Sequence, residues 1–230
     1  MTIKSISFNN ATQEEGESND VVGRFRSGYQ TKSGLPVGLG QFRITTGDPD
    51  VAAMVADIMG ADDTGVSEWE TSTEEVLQVF TTTDTIDIIL EPGAVRTSMV
   101  LWSNKGKKIV ETDGEYLYED GKLTDKPWSG STKSLKEIKQ DASNGVGPSA
   151  SLQAYFRLAD APALGKFRYF SGSWTAVENF NAAEDALGQA SGPCHAVLSL
   201  EQVEFTAKDG TEVTYTKPQL KVMEEVGVPA

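Results

Sequence analysis

Gly40-Gln41-Phe42-Arg43-Ile44-Thr45-Thr46-Gly47 and Gly165-Lys166-Phe167-Arg168-Tyr169-Phe170-Ser171-Gly172 are two copies of one phrase, G-x-F-R-x-x-[ST]-G. A shorter echo, Gly23-Arg24-Phe25-Arg26-Ser27-Gly28, precedes them. In each full copy apolar and polar residues alternate, as in a half-buried strand: Phe42 and Ile44 point one way, Arg43 and Thr45 the other. A glycine closes each copy, and a helical pattern follows at once. The phrase therefore reads as strand, turn, helix. Gly47 and Gly172 are the structural turn positions, where a backbone conformation or a close approach would exclude a Cβ. Phe42 and Phe167 read as core anchors, with Arg43 and Arg168 on the opposite faces of their strands.

After the first copy, Asp48 is placed to cap a helix and Pro49 to occupy its first turn. Val51, Met54, Val55, Ile58 and Met59 fall on one stripe, and Gly60 supplies the stop. After the second copy, residues 173–188 form the matching helix, with Thr175 and Glu178 spaced as a capping box and Gly188 as the stop. Between them, residues 76–123 are rich in Val, Ile, Leu and Thr and are broken by turn residues, which predicts an antiparallel meander. Residues 124–150 are rich in Ser, Gly, Lys and Asp and read as a long loop. A short helix around Ser131–Asp141 would carry Lys133, Lys136 and Lys139 as a stripe. Two long strands joined by a turn at Lys208–Thr211 close the chain.

The expected fold class is α+β: mainly antiparallel sheet with two strand–turn–helix units, the duplicated phrase pointing to a pseudo-repeat of two halves. Residues 1–20 are polar and acidic and are expected to form a flexible segment. Residues 21–230 are expected to form a single two-lobed domain, with a first half at about 21–123, the loop at about 124–150 and a second half at about 151–225.

Charge narrows the function. The formal net charge is -14, which argues against free nucleic acid or an anionic membrane as the primary ligand. From Ile44 to Val95 there are 12 acidic residues and no Lys or Arg; from Tyr169 to Ala207 there are 5 and again none. These blocks are a solvated surface or a face that docks on a basic partner. Cys194 is the one cysteine, which fits a reducing cytoplasm, and no apolar run is long enough to span a bilayer. His195 is the only histidine. On a strand it would face away from Cys194, which disfavours a nucleophile pair. No P-loop, nucleophile elbow or C-x-x-C is present, and Asp48 with Asp50 reads as helix capping ahead of a cation site. The residues propose no catalytic group, no cofactor and no metal. They point to a binding or regulatory protein, not an enzyme.

Six stretches taken in order carry a resemblance: VVGRFRSGY, FRITTGDPDVA, EEVLQVFTTTDTIDIIL, MVLWSNKGK, LQAYFRLADAPALGKFRYFSGSW and VTYTKPQLKV. Together they resemble the phage recombination directionality factors that act on large serine integrases, of the Streptomyces temperate phage type. The resemblance spans about residues 20–223. It implies a protein that binds the integrase, through the coiled-coil arm of the integrase's C-terminal zinc domain. The bound factor switches recombination from attP × attB integration to attL × attR excision. DNA would be met only through the integrase, in the cytoplasm of the bacterial host, with no membrane involved. The family motifs assign no contact residues, so these come from side-chain chemistry: Arg24, Phe25, Arg26 and Tyr29, which alternate cations and rings, and Trp128, a large ring in a polar loop. Other functions compatible with the residues are an acidic DNA mimic that inhibits a host DNA-binding protein, a virion structural protein, and a metal-dependent hydrolase built on the Asp pairs.

Overall fold

The computed structural model of the protein describes residues 20–30, 36–70, 74–206, 210 and 212–226. The expectations for residues 1–19 and for most of the Lys208–Thr211 turn lie outside the described residues. In chain order the elements are β1 (Val21–Gln30), β2 (Pro36–Thr46), α1 (Pro49–Met59), β3 (Val66–Glu68), β4 (Leu77–Phe80), β5 (Thr85–Leu90), β6 (Val95–Trp102), β7 (Lys108–Thr112), β8 (Tyr116–Glu119) and β9 (Lys122–Pro127). There follow α2 (Leu135–Ser143), β10 (Ser149–Leu158), β11 (Lys166–Ser171), α3 (Trp174–Gln189), β12 (Cys194–Thr206) and β13 (Glu212–Glu225).

The α+β expectation is corrected. Thirteen strands belong to one large mixed sheet, and 51% of residues are strand against 21% helix. Two features make the difference. The parallel pairing of β1 with β11 makes the sheet mixed: Val21 to Phe25 run beside Lys166 to Tyr169. Parallel partners must be separated by a long crossover, so neither strand's local pattern reveals the other. The expected meander is also incomplete. β6 to β9 pair in succession, but β5 leaves that run to pair with β10 and β12. Ile86, Ile88 and Leu90 of β5 are buried; their period of two identifies a strand without naming its neighbours.

The fold comprises two compact units. One contains Glu91–Ala154 and Phe170–Pro193, the other Asp20–Leu90, Tyr155–Tyr169 and the chain from Cys194 onward. β10 and β11 pass from one unit into the other. In the second unit α1 begins as its sequence dictates: Asp48 accepts from the N–H groups of Asp50 at 2.8 Å and Val51 at 3.4 Å, and Pro49 follows the cap. Val51, Ala52, Val55 and Met59 are buried, whereas Met54 of the expected stripe is exposed. Gly60 ends the helix at φ 67°, and a Cβ there would meet the Thr82 side chain.

In the first unit α3 is capped by Ser173, whose side chain accepts from the Ala176 N–H at 3.4 Å. The helix starts ahead of Thr175, so the expected Thr175–Glu178 box does not form, and it continues through Gly188 to Gln189. α2 has a full capping box between Ser134 and Glu137.

Candidate functional site: an arginine and aromatic face

The three forms of the repeated phrase become three neighbouring strands. β1 lies between β2 and β11, antiparallel to one and parallel to the other. Phe25 is opposite Ile44 and beside Tyr169; Arg24 is opposite Thr45 and beside Arg168; Arg26 is opposite Arg43. Successive side chains of a strand point to opposite faces. Phenylalanine and arginine therefore separate cleanly.

On the inner face Phe25, Phe42, Ile44, Phe167 and Tyr169 are all fully buried. Phe25 is the centre of the cluster. Its ring lies 5.5 Å from Phe42, 5.1 Å from Phe156 and 5.4 Å from Phe167, each edge to face. That geometry sets the positive edge of one ring against the negative face of the next. The Tyr169 hydroxyl, carried into this core, is hydrogen-bonded to the Ser27 hydroxyl at 2.7 Å.

Arg24, Arg26, Arg43 and Arg168 occupy the outer face. Trp69, just after β3, lies over two of them, 5.0 Å from the Arg26 guanidinium and 4.3 Å from that of Arg43. Arg43 also approaches the Phe80 ring at 5.6 Å and donates from Nε to Gln78 at 2.9 Å. Arg168 stands 5.9 Å from the Tyr155 ring. One carboxylate serves the cluster. Glu75 pairs with Arg24 at 2.7 Å and Arg26 at 3.2 Å, and accepts from the Thr45 hydroxyl at 2.8 Å. The Glu75 side chain is 15% exposed and that of Arg24 43%. Burial, and then the neighbouring charge of Arg26, hold the Arg43 guanidinium below its ordinary value. The surface is thus cationic and partly dried by rings, which suits it to receive a carboxylate or an aromatic side chain.

The candidate residues named from the sequence are distributed as follows. Arg24 and Arg26 lie on the outer face. Phe25 lies in the aromatic core beneath it. Tyr29 is exposed near the end of β1, opposite Val37. Trp128 is in the other unit and is buried, with its ring so close to Gly130 that a Cβ there would lie 2.4 Å away. A Cβ on Gly47 would lie 2.5 Å from the Glu74 carbonyl oxygen; on Gly172 the nearest atom would be 3.6 Å away. Sequence reasoning did not assemble Trp69, Glu75, Arg43 and Arg168 with Arg24 and Arg26. The Phe–Arg alternation was visible, but the adjacency of the three strands was not.

The first unit holds a separate ionic cluster. Arg96 and Lys108 both pair with Glu111 at 2.6 Å. The Arg96 guanidinium lies 4.5 Å from the Tyr118 ring. Nearby, α3 delivers the buried carboxylate of Glu184 to the Thr97 hydroxyl and N–H of β6. Burial outweighs these hydrogen bonds and pushes Glu184 up to about 7. Cys194 is buried, with its thiol pushed up by burial, and the strand alternation turns His195 the other way. Among the described residues no group of His, Cys, Asp or Glu is arranged to hold a metal, and no helix is long and apolar enough to cross a membrane.

The outer face has the composition of a docking surface, since Arg and aromatic side chains dominate binding hot spots. The sequence model of the Gp3-like family, described as recombination directionality factor-like, matches residues 22–223, and the chain belongs to that family. No solved structure matches the chain. The family is one of recombination regulators, which implies a recombinase or integrase as the partner.

Proposed function

We propose that the chain is a recombination directionality factor that binds a phage-encoded large serine integrase. In its presence the integrase turns from joining attP and attB to joining attL and attR, which excises the prophage. The observation that carries this reading is the family match across residues 22–223. The arginine and aromatic face supports it by offering a cationic, partly desolvated surface of the kind proteins use to hold partners. The contact residues proposed are Arg24, Arg26 and Tyr29, with Phe25 fixing their strand from below and Trp128 shaping the other unit. The surface they meet is the coiled-coil arm of the integrase, and DNA is reached only through that protein, in the cytoplasm of the bacterial host.

Such a factor needs no chemistry of its own. It must bind one integrase–DNA arrangement more tightly than another. A hundredfold bias corresponds to about 3 kcal/mol of coupling. The test is reconstitution from purified chain, the integrase encoded by the same phage, and attL and attR DNA. Excision product is expected only when the chain is added. Equal product with and without it overturns the reading.

A further inference from the structure

We propose that Arg43 is the anchor of the arginine and aromatic face, where it seats one Glu or Asp side chain of the integrase that is flanked by apolar neighbours. The identity of the partner rests on the proposed function; the chemistry of the seat does not.

Strand register arranges the face in rows. Phe80, Arg43 and Arg26 lie side by side across β4, β2 and β1, and Gln78, Thr45 and Arg24 form the next row. Directly paired residues share a face. Glu75 answers the second row and its border, meeting Arg24 at 2.7 Å, Thr45 at 2.8 Å and Arg26 at 3.2 Å. It is an example, within the chain, of a carboxylate held on this face.

Arg43 is left outside that arrangement. Its Nε donates to the neutral amide oxygen of Gln78 at 2.9 Å. Among the described residues its two Nη atoms have no hydrogen-bond partner, and no carboxylate pairs with it. The Trp69 ring at 4.3 Å and the Phe80 ring at 5.6 Å lie against its guanidinium. A guanidinium stacked on rings keeps its edge donors for a carboxylate, which it takes in a fork of two parallel bonds. Burial and the Arg26 charge both weigh against the Arg43 cation, and a carboxylate brought to it offsets both.

The seat favours a protein carboxylate over a phosphate backbone. Arg43 is the last cation before the stretch from Ile44 to Val95, which holds 12 acids and no Lys or Arg. Such a surround repels a polyanionic duplex, and a net charge of -14 sets two copies of the chain against each other. One carboxylate between apolar neighbours brings a single charge to the Arg43 donors and sets its neighbours against the rings.

The test measures binding of the full chain to the integrase of the same phage. Arg43→Gln is expected to weaken it about thirtyfold, the loss of a hot spot. Gln78→Glu sets a carboxylate against Arg43 from inside the chain, so it should block the seat and weaken binding with melting unchanged or raised. Gln189→Glu adds the same charge at the exposed end of α3, in the other unit, and should bind as wild type. Wild-type affinity in Arg43→Gln or in Gln78→Glu, or an equal loss in Gln189→Glu, overturns the seat while leaving the proposed function standing. So does bare duplex DNA, or a second copy, that the wild type binds and Arg43→Gln does not, with integrase binding intact. Failure of the wild-type chain to bind the integrase overturns both.

Discussion

Gly47 and Gly172 close the two copies of the same phrase, yet their surroundings differ. At Gly47 an added methyl would run into a backbone oxygen at 2.5 Å, which no side-chain rotation can relieve. At Gly172 the nearest atom is at ordinary contact distance. Gly47→Ala is expected to destabilise by about 1–3 kcal/mol. Gly172→Ala should stay within about 1 kcal/mol of the parent. Denaturant melts of the two variants check this.

Glu184 offers a second single-residue test. Its folded value is raised from the ordinary 4.5 to about 7 by burial. A folded state that holds a proton more tightly is favoured at low pH. The contribution is complete below 4.5 and is lost as pH rises through about 7. The full span is on the order of 3 kcal/mol. Glu184→Gln should flatten the stability profile between these limits; an unchanged slope would show that Glu184 does not cause it.

At the scale of elements, the Phe–Arg strands make one sheet with two chemically different faces. Phe25→Ala should cost about 3–5 kcal/mol of stability, because it empties the centre of the ring cluster. Arg24→Ala and Arg26→Ala should each cost less than about 1 kcal/mol, since their ion pairs are partly exposed. Together they should weaken integrase binding about tenfold or more. Melting and binding measured on the same variants separate the two faces; if the arginine variants lose stability and keep affinity, the face is structural.

These strands also show what was legible in the sequence. The alternation of Phe42 with Arg43 is local, and so is the Asp48-Pro49 helix start, and both could be read directly. The register that sets Arg24 beside Arg168 joins opposite ends of the chain, and period-two patterning carries no partner information. For that reason the parallel pair was missed, and with it the mixed, mostly strand character of the fold. The start of α3 was misplaced for a smaller reason: Ser173 and Thr175 can both cap, and the turn that precedes the helix makes the choice. Trp69 and Glu75 could not be assigned to the site, because the β3–β4 hairpin that brings them over the arginines is fixed by its pairing with β2.

For the whole molecule, the family match implies a recombinase or integrase as the partner, and the net charge of -14 accords with the proposal that DNA is met through that protein. Four arginines, Arg24, Arg26, Arg43 and Arg168, are gathered on one sheet face. The most direct measurement is the affinity of the chain for integrase assembled on attL with attR, compared at the same salt with integrase assembled on attP with attB. The account predicts tighter binding to the first by about a hundredfold. Equal affinities would contradict it, because a ligand that binds two states equally shifts nothing between them.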